Sequence, residues 1–337
     1  MKPRVIVAPE FRTMAEVFDP QTLARLEDLV EVVWGRDGPM PQGVFVAALA
    51  DATAVVFGTW HYGRDAIRQA GDSLRYVFEV AGSHHHADLD YATCFERGTA
   101  VGSCAPAFGP AVAEMALALT LDAARLVSEG DRAFRAGEER WLHAGNEGAV
   151  TLYGKTFGFL GAGGLSVSLQ ALLEPFGGRF LAYDPWLEPE RLAARSIESV
   201  GLDDLFDGSD VVFVLAIPTP ENHQLVSREL MERLSPTDIL AVISRGHLVD
   251  FGAMTDLVLD GRFRLAIDVY PEEPLDRDHR IRTAPNTVFS AHRAGAIPEA
   301  LHEIGHMVVD DLEAVLEGNE PTRFQYATPE MITRLRD

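Results

Sequence analysis

The chain contains 337 residues, which at about 150 residues per domain corresponds to roughly two domains. Hydrophobic residues make up 47% and charged residues 24%, values typical of folded globular proteins, so disordered and collagen-like classes are excluded. The 29 Lys and Arg residues are outnumbered by 51 Asp and Glu residues, and the net charge of −22 disfavours binding to nucleic acids and anionic membranes.

Short apolar runs recur through the first hundred residues and are separated by polar segments of helical length. Continuously apolar strands that alternate with helices are typical of a parallel sheet covered on both faces. This part of the chain therefore predicts an α/β unit. Its predicted strands are residues 5–8, 30–34, 54–57, 76–81 and 99–101.

A second α/β series follows a long predicted helix at residues 112–127. Residues 129–154 lack clear periodicity and are interpreted as a connector or as an arm that reaches another subunit. Residues 298–316 predict a final helix. Six apolar runs between these segments predict a six-stranded doubly wound sheet, with strands at 156–160, 179–183, 211–216, 239–244, 265–269 and 287–290.

The first strand of the second series leads into a glycine-rich turn, GAGGLS, that opens a helix. Gly161 would permit the tight turn, and Gly163 would let a pyrophosphate approach the start of the helix. Ser166 replaces the third glycine of the dinucleotide-binding pattern, so we expect slightly looser packing there. An ordinary βα loop is the alternative interpretation of the turn alone.

Asp184 decides between these interpretations because it ends the next predicted strand at the distance that dinucleotide-binding folds require. Its carboxylate can accept hydrogen bonds from the ribose hydroxyls of adenosine. The same negative charge would repel a 2′-phosphate. The sequence therefore predicts NAD rather than NADP as the cofactor.

Three later segments begin at the carboxyl ends of predicted strands, where open α/β sheets bind ligands. ISRGHLVD contains Arg245, DVYPEEPL contains Glu273, and SAHRAG contains His292. Each residue taken alone is more often a surface or core side chain than a catalytic one. Their common edge and their order behind a dinucleotide turn favour a catalytic group.

At these residues the sequence resembles the D-isomer-specific 2-hydroxyacid dehydrogenase family, which includes D-lactate, glycerate and phosphoglycerate dehydrogenases. The resemblance is strongest over residues 102–295 and lies in SRGxxVD, DVYxxEPL, AHRAG and the PTPEN loop. It implies that Arg245 binds the substrate carboxylate and carbonyl, that His292 transfers a proton, and that Glu273 is the partner of that histidine. The predicted cofactor-binding residues are Gly161, Ala162, Gly163, Gly164, Leu165, Asp184, Pro218, Asn222, Ser244, Asp268 and Gly295.

The chemistry of a 2-hydroxy acid supports these roles independently. Hydride transfer requires a group that takes the hydroxyl proton, and histidine has an unperturbed pKa of about 6.5. A neighbouring carboxylate can orient the ring and favour its charged form. The planar guanidinium of an arginine can donate to a carboxylate and a carbonyl oxygen together.

The resemblance also implies an α/β fold of two Rossmann-like doubly wound parallel-sheet domains with an active-site cleft between them. We expect residues 1–105 and 297–337 to form a flavodoxin-like substrate-binding domain and residues 106–296 to form the NAD-binding Rossmann domain.

The predicted substrate-binding residues in the amino-terminal part are Gly82, Ser83, His84 and Phe108. The segment AGSH resembles the family loop whose backbone N–H groups bind the substrate carboxylate, although His84 stands where the family has a second glycine. The triple histidine that it begins is either a metal-binding tract or a polar loop. Phe108 is equally compatible with a pocket and with core packing.

The segment His302-Glu303-Ile304-Gly305-His306 matches HExxH, a pattern that can bind zinc. We do not expect a metal, because no third ligand stands at a recognised spacing and Gly305 weakens the helix. The resemblance places this segment in the helix that returns to the substrate-binding domain.

We therefore expect an NAD-dependent enzyme that interconverts a small anionic D-2-hydroxy acid and its 2-oxo acid. The alternatives are a non-enzymatic NAD-sensing module similar to the corepressors of this family, or an enzyme that oxidises a phosphorus-containing substrate with the same three residues. The apolar surface of the long helix and arm predicts a homodimer. Cys94 and Cys104, in no CxxC arrangement, and the absence of a signal peptide or an apolar run of about 18 residues predict a cytoplasmic protein.

Overall fold

Two parallel sheets organise the chain, one in each of two units. The computed structural model describes residues 2–82 and 86–336. The first unit contains the residues up to 108 and those from 295 onward, and the second contains residues 109–294. The predicted domain boundaries at 105/106 and 296/297 lie close to these positions. The prediction of two parallel-sheet α/β domains is confirmed.

The strands of the described residues account for every apolar run noted in the sequence and include two further strands, β8 and β13. In chain order they are β1 Arg4–Ala8, β2 Glu31–Trp34, β3 Ala52–Phe57, β4 Tyr76–Glu79, β5 Ala100–Ser103, β6 Thr156–Leu160, β7 Arg179–Tyr183, β8 Ile197–Ser199, β9 Val211–Val214, β10 Ile239–Val242, β11 Arg264–Ile267, β12 Thr287–Phe289 and β13 Gln325–Tyr326.

The helices lie between these strands. They are α1 Met14–Val17, α2 Pro20–Leu29, α3 Gln42–Leu49, α4 Tyr91–Glu96, α5 Ala105–Arg125, α6 Val127–Ala136, α7 Gly164–Leu173, α8 Pro189–Ala193, α9 Leu202–Gly208, α10 Arg228–Met231, α11 Phe251–Leu259, α12 Pro298–Leu316 and α13 Pro329–Arg336.

The sheet of the first unit has the strand order β13-β5-β4-β3-β1-β2. All neighbours pair in parallel except β13, which pairs antiparallel with β5 at one edge. Residues 5–8 of β1 are fully buried because this strand lies between two others and has a hydrophobic cluster on each face.

The sheet of the second unit is fully parallel, with the order β12-β11-β10-β9-β6-β7-β8. It has seven strands rather than the six that the apolar runs predicted. The additional strand β8 has only one buried residue, Ile197, because it pairs on one side alone and lies at the edge. Apolar periodicity cannot detect such a strand.

Helix α5 begins at Ala105 rather than at residue 112, and Leu126, with φ of 57°, separates it from α6. By length and composition α5 could cross a membrane, contrary to our expectation, and 39% of its apolar window is buried inside the protein. Its residues Ala116, Leu119 and Ala123 belong to the core of the second unit. One face of the helix therefore packs into the core of the second unit.

The segment 129–154, interpreted as a connector or an arm, begins inside helix α6 although its sequence lacks clear periodicity. Four apolar side chains of α6 and the residues after it are more than half exposed. They are Val127, Phe134, Trp141 and Leu142. The segment thus presents an apolar surface to solvent.

The HExxH pattern lies on α12, and its side chains contact other parts of the first unit. His306 Nε2 lies 3.0 Å from Oδ2 of Asp19, which caps the start of α2. Glu303 pairs with Arg323, and His302 Nε2 lies 3.3 Å from the carbonyl oxygen of Ala15. Among residues 2–82 and 86–336, no group of three potential metal-ligating side chains is found.

Candidate active site

The glycine turn after β6 has the geometry that a pyrophosphate site requires. Gly161 has φ of 90°, and a Cβ there would lie 2.5 Å from the Cα of Ala216, so no other residue fits. Gly163 caps α7, which begins at Gly164, and a Cβ on either residue would meet no atom within 4 Å. The positive end of α7 is therefore open to an anion.

Asp184 follows β7 and lies beside this turn. Its Oδ2 accepts the Ala162 N–H at 2.8 Å, and its Oδ1 accepts the Trp186 N–H at 2.9 Å. Each carboxylate oxygen has a second lone pair, so both can also accept a hydroxyl group. The two backbone contacts fix the orientation of the carboxylate.

Arg195, which the sequence analysis did not identify, braces the same turn. Its guanidinium donates to the carbonyl oxygen of Ala162 at 2.8 Å and to Ser166 Oγ at 3.0 Å. The Ser166 hydroxyl in turn donates to the carbonyl oxygen of Gly163 at 2.7 Å. Ser166 is fully buried and hydrogen-bonded, so the loose packing expected at this position is not observed. Burial lowers the pKa of Arg195.

Two buried hydroxyls at this edge have no hydrogen-bond partner among the described residues. They are Oγ of Ser244, which follows β10, and Oγ of Ser290, which follows β12. A buried polar group without a partner is costly, and a bound ligand can satisfy it. An open helix N-terminus, an oriented carboxylate and these two hydroxyls fit a dinucleotide.

The loop after β9 contains Pro218 and Asn222, both predicted to bind cofactor. Asn222 accepts the Thr219 N–H at 2.8 Å and donates to the carbonyl oxygen of Ile217 at 2.8 Å. Pro218 is half-buried between these partners. The amide of Asn222 therefore stabilises the loop. Leu165, which was also predicted to bind the cofactor, packs against the core of the second unit.

His292 is held in an uncommon backbone conformation by Asp268. Its φ is 51°, in the left-handed region that non-glycine residues rarely occupy. Its N–H donates to the carbonyl oxygen of Asp268 at 2.6 Å, while the buried Asp268 carboxylate accepts the N–H groups of Arg293 and Ala294. Gly295 comes next in the chain. Asp268 thus fixes the turn that presents the histidine.

Glu273 joins the histidine to a second loop. Its Oε2 lies 2.6 Å from His292 Nδ1, and its Oε1 accepts the Tyr270 N–H at 2.9 Å. The Tyr270 hydroxyl donates to the carbonyl oxygen of Ser290 at 2.8 Å, and burial raises the pKa of Tyr270 to about 12. The tyrosine therefore stays protonated and ties the two loops together.

Arg245 is exposed and follows β10. β10 pairs with β11, which leads to Glu273, and β11 pairs with β12, which leads to His292. Its Nη1 donates to the carbonyl oxygen of Ser244 at 2.7 Å. The following Gly246 is required, because a Cβ there would lie 2.3 Å from the carbonyl carbon of Tyr270. The carboxyl ends of β10, β11 and β12 thus bring all three predicted catalytic residues to one edge of the sheet.

In the first unit, Gly82 and Phe108 lie in contact, since a Cβ on Gly82 would come within 2.7 Å of the Phe108 ring. The predicted substrate residues Ser83 and His84 lie outside the described residues. The buried carboxylate of Glu79 accepts the N–H groups of Ala81 and Gly82. Glu79 was missed by the sequence analysis, although an acidic residue inside an apolar run is a signal for such a role.

Comparison with known proteins identifies the family. Residues 117–294, more than half of the chain, match the family model for the NAD binding domain of D-isomer specific 2-hydroxyacid dehydrogenases. The solved structure of a phosphoglycerate oxidoreductase from Rhizobium etli superimposes with a TM-score of 0.87 at 30% identity, covering 97% of this chain and 99% of that one.

Two kinds of curated protein are similar to this chain in sequence. The D-3-phosphoglycerate dehydrogenase of Mycobacterium tuberculosis is 31% identical over 306 residues, which are 90% of this chain and 56% of that protein. The chain thus spans about half the length of such relatives. The glyoxylate reductase of Aeropyrum pernix is 30% identical over 95% of both chains. The resemblance seen in the sequence is confirmed, and the chain belongs to the D-isomer-specific 2-hydroxyacid dehydrogenase family, with residues 117–294 in its NAD-binding domain.

Proposed function

We propose that this protein is an NAD-dependent oxidoreductase that interconverts a D-2-hydroxy acid and the corresponding 2-oxo acid. The contact of 2.6 Å between His292 Nδ1 and Glu273 Oε2 carries the proposal, because it is the arrangement that a histidine acid/base requires. Membership of a dehydrogenase family supports it. The same edge of the second unit also presents the dinucleotide turn and an arginine.

His292 serves as the proton donor in the reducing direction. Because its Nδ1 faces Glu273, its Nε2 is the atom left to exchange a proton with the substrate oxygen. The carboxylate fixes the ring orientation and stabilises the imidazolium that exists before the proton is transferred. In the oxidising direction the neutral ring accepts the proton from the hydroxyl group.

Arg245 binds the substrate carboxylate and polarises the neighbouring carbonyl. Its planar fork matches the coplanar oxygens of a 2-oxo acid, and the pull on the carbonyl oxygen grows as negative charge develops there. The bound cofactor supplies the hydride that reduces the carbonyl carbon. The role of this chain is to place the substrate and move the proton.

The cofactor residues follow from the turn and its carboxylate. We propose that the pyrophosphate lies at the N-terminus of α7 and that Asp184 accepts the ribose hydroxyls, which selects NAD over NADP. Ser244 and Ser290 would gain partners on binding. The remaining predicted residues, Asp268 and Asn222 among them, support the loops that border this site.

The substrate is a small anionic acid. Relatives are named for glyoxylate, which is a 2-oxo acid, and for D-3-phosphoglycerate, which is a 2-hydroxy acid. Gly82 and Phe108 are proposed to contact this substrate, as the family resemblance implies. The −22 net charge makes local cations necessary for attracting such an anion.

The test is a panel of 2-oxo acids with NADH and of D- and L-2-hydroxy acids with NAD, followed by nicotinamide absorbance. We expect turnover of the D-acids, a loss of about 10²–10⁴-fold in kcat for His292→Ala, and preserved NADH binding. His143→Ala, a change at an exposed histidine outside this edge, is the control. NADH binding without turnover of any acid would instead support the NAD-sensing alternative.

We also propose that the protein is a cytoplasmic homodimer. The exposed apolar side chains of α6 and the following residues, Phe134 and Trp141 among them, support the dimer, and the buried free thiols of Cys94 and Cys104 are compatible with a reducing compartment. Light scattering at micromolar concentration tests the assembly. A monomer would refute it, and Trp141→Asp should weaken a dimer without changing NADH binding.

A further inference from the structure

An arginine in the first unit lies beside the two residues expected to contact the substrate. Arg12 follows β1, and its Nε donates to the carbonyl oxygen of Val80 at 2.7 Å, just after β4. Its guanidinium carbon lies 5.5 Å from the centre of the Phe108 ring, which packs on Gly82. Arg12 thus occupies the carboxyl edge of a parallel sheet, where such folds bind ligands.

The guanidinium of Arg12 is arranged to receive an anion edge-on. Its central carbon lies over the rings of Phe11 and Phe108, at 4.9 Å and 5.5 Å from their centres. With Nε bound to Val80, the donors of Nη1 and Nη2 remain, and neither has a hydrogen bond to any described residue. Two parallel N–H donors match the oxygens of one carboxylate or phosphate.

The loop that carries Arg12 is held in an uncommon conformation. Phe11 has φ of 71° and is 66% exposed, although it is a large apolar residue. Non-glycine residues rarely adopt this region, and such outliers occur most often at functional sites. In this conformation the Phe11 ring lies 4.9 Å from the guanidinium carbon of Arg12.

No acidic side chain of the described residues forms an ion pair with Arg12. Glu10, two residues earlier in the chain, has its Oε2 2.8 Å from His61 Nδ1. The N–H groups of Ala81 and Gly82, which could have bound an anion, donate to Glu79. The fork of Arg12 therefore offers two N–H donors that no described residue accepts.

We propose that Arg12 binds a second anionic group of the substrate, a carboxylate or a phosphate, and so selects dianionic 2-oxo acids. This inference rests on the proposed function, in which Arg245 binds the carboxylate next to the carbonyl. A second arginine fork, with no acidic partner among the described residues, then corresponds to a second negative charge on the substrate. Arg12 is a specificity-determining residue and takes no part in proton transfer.

The experiment compares steady-state kinetics of reduction for one monoanionic and two dianionic acids. Glyoxylate is the monoanion, oxaloacetate carries a second carboxylate, and 3-phosphohydroxypyruvate carries a phosphate. For Arg12→Gln we expect KM for the preferred dianion to rise by about 10- to 100-fold, with kcat and the KM for glyoxylate changed less than about twofold. Arg12→Lys should give an intermediate KM because it keeps the charge and loses the fork.

Arg36→Gln is the matched control, because Arg36 also lies over an aromatic ring, that of Trp34 at the end of β2, and the net charge changes equally. We expect no change in any KM for this variant. Equal thermal melting of Arg12→Lys and the wild type shows that a rise in KM does not come from unfolding.

Three outcomes would overturn the inference. They are a wild type that prefers glyoxylate to both dianions, an Arg12→Gln variant that loses affinity for all three acids alike, and one that loses affinity for none. In each of these cases the wild type is still an active reductase, so the proposed function stands. A wild type that reduces no 2-oxo acid would refute both.

Discussion

Replacing Glu273 by Gln tests the link between the carboxylate and the histidine most directly. Each oxygen of the carboxylate accepts one hydrogen bond, from the Tyr270 N–H at 2.9 Å and from His292 Nδ1 at 2.6 Å. A glutamine has one oxygen and one NH₂ group, so it can accept from only one of them. With the oxygen on Tyr270, its NH₂ faces Nδ1 and selects the ring tautomer that has no proton there. With the oxygen on His292, two donors face each other at Tyr270.

The size of the effect follows from the contact that is lost. A hydrogen bond to a charged group contributes about 1.5–3 kcal/mol, which corresponds to roughly 10- to 150-fold in rate. The side chains of His292 and Glu273 are 43% and 34% exposed, so water weakens their interaction. We therefore expect kcat for 2-oxo acid reduction to fall by about 10- to 40-fold in Glu273→Gln.

The assay is kcat at saturating 2-oxo acid and NADH, together with the dissociation constant of NADH from fluorescence. The neighbouring Glu272→Gln is the control, since this exposed carboxylate undergoes the same change of charge one residue away. We expect it to keep wild-type kcat, and both variants to keep the NADH affinity. A Glu273→Gln variant within about twofold of the wild type would show that the carboxylate does not support proton transfer.

Three further predictions address the cofactor, stability and pH. Asp184→Ala should narrow the preference for NADH over NADPH, measured as the ratio of the two kcat/KM values; a wild type that prefers NADPH contradicts the assignment. Asp311 is buried, and its carboxylate accepts three backbone N–H groups and the Tyr326 hydroxyl. Asp311→Ala should therefore lower the free energy of unfolding, measured by urea titration, by about 3–5 kcal/mol. A loss below about 1 kcal/mol would be inconsistent with these contacts. Burial raises the pKa of Tyr270 to about 12 from its ordinary 10.0. The stability that the protonated tyrosine contributes is therefore complete below pH 10 and is lost as the pH rises through about 12. The melting temperature of Tyr270→Phe should fall less steeply than that of the wild type between these pH values, and an equally steep fall would contradict the burial.

The sequence by itself determined the features that depend on local patterns. Residues 5–8 and 157–160 contain no polar side chain because both faces of each strand are covered, as is typical of parallel sheets. The turn at Gly161 is recognisable because only glycine has the required φ and space. Arg245 and His292 each follow an apolar run, and the carboxyl ends of parallel strands share one edge, so the sequence alone predicts that these two residues lie together.

Tertiary structure decided what depends on contacts between residues distant in the chain. Edge strand β8 was missed because a strand paired on one side needs little apolar character. The side chains of the HExxH pattern on α12 contact Asp19 and Arg323. These contacts cannot be predicted from the sequence of one helix, because both partners lie elsewhere in the chain. Whether an arginine is neutralised likewise depends on its neighbours in space. Arg195 donates to the glycine turn, whereas Arg12 keeps two N–H donors that no described residue accepts. No local sequence pattern distinguishes these two arginines, because the fold determines which hydrogen-bond partners lie near each of them.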